Sequence, residues 1–169
     1  MGRSGVWLCL AMAACLPTGC ASTRGDAPSA EALVGAWRSK VQFTSGAFAG
    51  IQDLEFLYVF NAGGTLTESS NYDGAPPVPP AYGVWRRIGP GRFEAAYEFY
   101  STRPPARFED LAGGGGWLPA GRGRLVERIE LAADARSYTS TIRYTALDAN
   151  GTPAAGGGEA QGHGIRIGF

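Results

Sequence analysis

Eight short runs in which apolar and polar residues alternate, most of them closed by glycine, proline or asparagine, constrain this chain more than any other feature. Successive side chains of a strand point to opposite faces, so a period of two describes a half-buried strand. The runs fall at residues 34–43, 53–60, 65–72, 82–88, 92–101, 122–131, 137–147 and, more weakly, 159–167. Phe93, Ala95, Tyr97 and Phe99 share one face, opposed by Arg92, Glu94 and Glu98. Leu54, Phe56, Tyr58 and Phe60 share another, and Tyr138, Ile142 and Tyr144 oppose Thr139, Thr141 and Arg143. No segment carries a convincing helical period, although residues 107–111 allow one short turn. Asn61-Ala62-Gly63-Gly64 and Gly89-Pro90-Gly91 are tight-turn signals, while residues 73–80 and 102–121 are longer connections. The fold class expected is all-β: an eight-stranded antiparallel up-and-down barrel. Closure removes the edges that invite aggregation, and eight strands leave room for one small ligand.

All three cysteines lie within the first twenty residues, at Cys9, Cys15 and Cys20. Arg3, an apolar run from Val6 to Leu16 and a small-residue site describe a secretory signal peptide over residues 1–19. Residues 20–32 are small, polar and proline-containing, and read as a flexible tether. Residues 33–169 then form a single domain. No disulfide and no cysteine metal site is expected in that domain. Its one histidine, His163, gives no metal-ligand set, and no cofactor is implied. Once Arg3 leaves with the leader, the 15 acidic residues outnumber the basic ones by one. Nucleic acid is therefore not an expected partner.

Leu16-Pro17-Thr18-Gly19-Cys20-Ala21-Ser22 resembles the cleavage site of bacterial lipoproteins. That resemblance implies lipidation of Cys20 and attachment to a membrane through the lipid anchor. Ala21 after the cysteine implies the outer membrane of a bacterial envelope, facing the periplasm or the exterior. The family's usual leucine stands three residues before the cysteine; Pro17 holds that place here and Leu16 lies one earlier. Ordinary cleavage near Ala21, giving a secreted or periplasmic protein, is the alternative.

Gly35-Ala36-Trp37-Arg38 on the first run and Gly162-His163-Gly164-Ile165-Arg166-Ile167 on the last resemble the lipocalin (calycin) barrels. The resemblance implies that Trp37 plugs the barrel floor and Arg166 packs across it, closing the barrel. A guanidinium over an indole face contributes about 0.5–2 kcal/mol. Gly-X-Trp recurs as Gly83-Val84-Trp85, so the bland alternative is that both tryptophans only fill a core. The chain also resembles short bacterial secreted proteins with Gly-Gly-Thr-X-X-Glu (residues 63–68) followed by Gly-X-Trp-X-Arg-X-Gly (residues 83–89).

Glu68 and Glu127 are the carboxylates of most interest. Glu127 shares a face with Leu125, Ile129 and Leu131, and Glu68 with Leu66. Turned inward, each needs a partner, because an unpaired buried charge costs several kcal/mol. Arg87, Arg128, Tyr97 or Tyr144 could supply one. The more economical assignment at this stage reverses those faces and leaves both glutamates in solvent, since a one-residue slip moves a whole set of side chains to the other face. The four glycines at 113–116 lack the Lys-Ser/Thr of a phosphate loop and read as a flap or an insertion beside Trp117. No nucleophile elbow is present.

The functional expectation is a binding module rather than an enzyme. Its barrel would hold a small apolar or amphipathic ligand among Phe56, Tyr58, Glu68, Tyr97, Phe99, Glu127, Ile142 and Tyr144. The first alternative is a structural or protein-interaction lipoprotein with a packed barrel. The second is a barrel isomerase or cyclase using Glu68 or Glu127 with a tyrosine.

Overall fold

A computed structural model describes residues 29–72, 79–113 and 116–169. The expected leader, Cys20 and most of the tether lie outside the described residues. Eight strands, β1 (Gly35–Phe43), β2 (Glu55–Phe60), β3 (Thr65–Ser70), β4 (Ala81–Gly89), β5 (Arg92–Arg103), β6 (Leu118–Leu131), β7 (Ser137–Leu147) and β8 (Gly158–Arg166), follow one another in the chain. Each pairs antiparallel with the next, and β8 returns to pair with β1, closing the barrel. Alternation in the sequence becomes alternation in burial: β1 and β7 bury every second side chain over most of their lengths.

The connection expected over residues 102–121 is shorter than that. β5 runs on to Arg103 and β6 starts at Leu118, with Thr102 opposite Pro119 and Arg103 opposite Leu118. Pro119 lacks an N–H and Gly121 has a φ of 140°, both of which read as loop. A shift of register between Ser101 and Thr102 absorbs the irregularity and lets pairing resume. Glu109–Ala112 forms a single helical turn, α1, within what remains of the connection.

An up-and-down barrel sends its connections alternately to opposite poles, and the two poles differ. At the pole of Gly35 and Arg166 the turns are tight: residues 61–64, 90–91 and 132–136. At the pole of Phe43 and Gly158 they are long: residues 44–54, 71–80, 104–117 and 148–157. A 3-10 turn, Ala30–Leu33, covers the tight-turned pole and tucks Leu33 fully out of solvent.

Trp37 seals that floor. Its ring is fully buried and its Nε1 donates to the Leu33 carbonyl at 2.9 Å. The register sets Arg166 directly opposite Trp37, and the guanidinium lies 4.3 Å from the indole centroid. The same guanidinium donates to the carbonyls of Val34 (2.7 Å), Ala135 (2.9 Å) and Ala32. One side chain thus ties together the 3-10 turn, the start of β1, the β6–β7 turn and the end of β8. Gly35, at φ 131°, is required here: a Cβ would stand 2.7 Å from Arg166 Nη1.

Inside, bulk on one strand is matched by glycine on its neighbour. Gly83 faces Tyr97, Gly123 faces Phe99 and Gly164 faces Tyr138 in register. A Cβ on Gly164 would fall 2.2 Å from the Tyr138 ring, and one on Gly123 would fall 2.3 Å from that of Phe99. These rings lie across bare backbone, which lets eight strands enclose several aromatics without strain. The second Gly-X-Trp copy is partly buried. Trp85 packs edge-on against Phe60 and Phe93, and its Nε1 donates to the Asn61 and Thr65 carbonyls.

Candidate site at the open pole

Strand faces that could have gone either way turn both glutamates inward. Glu127 is fully buried and Glu68 is 5% exposed, so the solvated assignment does not hold. Arg87 and Arg128 are not their partners: Arg87 bonds the Gly89 carbonyl, and Arg128 lies on the outer wall. Tyr97 is the partner of Glu127. Its hydroxyl donates to Glu127 Oε2 at 3.1 Å and lies 3.0 Å from the Tyr58 hydroxyl. Around this chain stand polar atoms without a hydrogen-bond partner among the described residues: Glu127 Oε1, Ser140 Oγ, Tyr138 Oη and Glu68 Oε1. Ser140, Ser39 and Glu127 Oε1 converge on Gly162, whose missing Cβ would sit 2.4 Å from Ser140 Oγ.

Burial governs the protonation of this interior. It raises the Glu68 pKa from 4.5 to about 8, with the nearby Glu127 adding to the effect. Burial also raises Glu127, against the opposing influence of Ser140, Tyr58 and Tyr97; of these, only Tyr97 makes a formed hydrogen bond to it. Tyr58, Tyr97 and Tyr138 are raised in turn, first by burial and then by Glu127. At neutral pH the Glu68 carboxyl is therefore largely protonated, and a protonated carboxyl can donate a hydrogen bond as well as accept one.

Above this core, at the pole of the long connections, a cavity of about 290 Å³ opens between the strand ends. Of the residues the sequence nominated, Phe56, Glu68, Phe99 and Tyr144 line it. Tyr58, Tyr97, Glu127 and Ile142 lie in the packed interior and do not reach it. Trp37 and Arg166 are at the opposite pole. Sequence reasoning missed Phe48, in the β1–β2 connection, and Phe43, at the end of β1. Both line the cavity, and their rings are 5.2 Å apart. Phe48 also packs on Tyr144 at 5.0 Å and on Tyr72 at 5.9 Å, and Phe99 stacks on Tyr144 with an interplanar angle of 12°. The rim is thus one interlocked aromatic set, held from three strands and two connections.

A larger depression, about 730 Å³, runs along the outer wall and borders chiefly on solvent-facing side chains such as Lys40, Arg128, Glu130 and His163. It mixes both charges in open solvent, whereas the smaller cavity holds the buried carboxyl of Glu68, so the smaller cavity is the better candidate. No group of three or more potential metal ligands occurs among the described residues. The chain matches no family model, and a search of curated proteins gave no match.

Proposed function

We propose that this chain is an envelope-anchored, lipocalin-like lipoprotein that binds a small apolar or amphipathic molecule in the open end of its barrel. The observation that carries the reading is the 290 Å³ aromatic cavity with Glu68 at its inner wall. Apolar walls with one convergent polar group suit a ligand that presents a polar end inward and an apolar body to the rings. At about 30 Å³ per water, the volume corresponds to roughly ten waters. That suits a single-ring or short-chain molecule rather than a long lipid. The anchor rests on Cys20 and its flanking residues alone.

The test is extraction. The protein is purified from a bacterial host, treated with organic solvent, and the extract analysed by mass spectrometry. A reproducible compound at one equivalent per chain supports the container. Repeated empty preparations, together with failure of any small aromatic probe to bind, would remove it.

A second reading, an interaction lipoprotein, is favoured by one feature of the outer wall. Leu57 and Val59 on β2 and Tyr82 and Val84 on β4 are exposed apolar side chains flanking the threonines of β3. It predicts that a Leu57→Lys, Tyr82→Lys double variant loses a pull-down partner while ligand content is unchanged. The isomerase or cyclase reading is weaker, because the tyrosines that engage Glu127 are sealed beneath the cavity.

A further inference from the structure

We infer that the open-pole cavity takes a small organic cation, an amine or quaternary ammonium with a compact apolar body, and that Glu68 is its counter-ion. The inference rests on the container reading above and names its ligand class.

Charge complementarity is the first argument. Glu68 lines the cavity, is almost wholly buried and leaves Oε1 without a partner among the described residues. No lysine, arginine or histidine lines the cavity among those residues. The arginines of β6 that could have balanced the site face outward: Arg122 and Arg124 both pair with Glu98. Among the described residues, the cavity thus has a buried carboxyl at its wall and no cation beside it. A ligand cation is the missing partner of the ionised carboxyl.

The walls make the same selection. Phe43, Phe48, Phe56, Phe99 and Tyr144 surround the space, and aromatic faces attract ammonium groups. The hydroxyls of Tyr58 and Tyr97 are already committed. Tyr97 donates to Glu127 and is in hydrogen-bond contact with Tyr58, so neither is free to stabilise a Glu68 anion. Glu127 acts on Glu68, and Tyr58 and Tyr97 are raised by Glu68 in turn, with Tyr72, Tyr100 and Tyr144 around the cavity. All of them are neutral or negative. A bound ammonium favours the ionised carboxyl, so binding below pH 8 displaces the Glu68 proton to solvent while the cation takes its place.

The experiment uses the full chain in detergent and a matched pair of probes, 2-phenylethylammonium and its neutral counterpart 2-phenylethanol. Titration calorimetry at pH 7, in two buffers of different ionisation enthalpy, measures affinity and proton release together. The amine is expected to bind about tenfold or more tighter than the alcohol, with close to one proton released per site. Its affinity should rise between pH 6 and 8 and then level off. Glu68→Gln keeps the side chain's volume. It should abolish the preference and the proton release. If wild-type protein binds the alcohol as well as the amine, or if Glu68→Gln retains the preference, the cation assignment is wrong while the container stands. If neither probe binds and no extracted compound is found, both fall. The wild-type comparison alone decides the matter should Glu68→Gln fail to fold.

Discussion

The two poles of this barrel are made from the same strands and do opposite things with aromatic residues. At the floor, buried Trp37 packs on Tyr138, buried Phe60 and Phe93 pack on Trp85, and Arg166 ties the closing strands to the turns. At the mouth, Phe43, Phe48, Phe56, Phe99 and Tyr144 are arranged around empty space. The difference comes from the connections. Tight turns bring strand ends together and let one side chain reach several backbones, which connections of ten or more residues do not require. Stability should therefore reside at the floor and selectivity at the mouth.

That division can be broken, and the largest expected effect is at the floor. Trp37→Ala should cost about 4–5 kcal/mol, at the upper end for a buried aromatic, because the Leu33 carbonyl also loses its donor. Urea unfolding measures it, and binding of 2-phenylethanol by the folded fraction should not change. A Trp37→Ala protein with normal stability and an altered cavity would undo the comparison.

Next comes pH. The folded chain holds Glu68 protonated up to about pH 8, whereas a glutamate in the unfolded chain has its ordinary value of 4.5. The folded state thus binds the extra proton between those values, and stability is full below about pH 4.5 and falls as pH rises to about 8. The loss from pH 5 to pH 8 should be about 3–4 kcal/mol, at about 1.4 kcal/mol per pH unit for each proton. Unfolding curves across that range should show it, and Glu68→Gln should remove one proton's share of the slope. A profile that is flat, or that rises with pH, would place Glu68 in water.

Arg166→Met should cost about 2–3 kcal/mol, since the apolar body can still cover Trp37 but three backbone carbonyls lose a charged donor. The smallest stability effect belongs to the mouth. Phe99→Ala should cost about 1–2 kcal/mol, because the ring already borders a void, yet weaken probe binding more than any floor variant that still folds. Thermal melts and calorimetry on one set of variants rank all four residues.

Much of the barrel was legible in the sequence because strand periodicity is local. Residues 92–101 and 137–147 alternate over most of their lengths, and each became a strand with the expected face inward. The ends of β5 and β6 were not legible, since Pro119 and Gly121 carry loop chemistry that a shifted register accommodates. The site was legible only in part. The alternation that groups Glu127 with Leu125 and Ile129 was visible, but whether a carboxyl follows its apolar neighbours inward depends on whether Tyr97 arrives from another strand. Ser39 and Ser140 share the inward parity of Trp37 and Ile142, and that parity would have found them. Phe48 sits in a connection without periodicity, so only its position in Ala47-Phe48-Ala49, an aromatic among small residues, hinted at a packing role.

The pairing of rings with bare backbone has a consequence for how such a chain diverges. Gly83 with Tyr97, Gly123 with Phe99 and Gly164 with Tyr138 each share one allotment of interior volume between two neighbouring strands. Neither member can grow unless the other shrinks. Across diverged sequences these positions should drift as couples, with the ring exchanging sides. A Gly164→Phe change that is lethal alone should be rescued by Tyr138→Gly, leaving a barrel of the same girth with its bulk on the opposite strand.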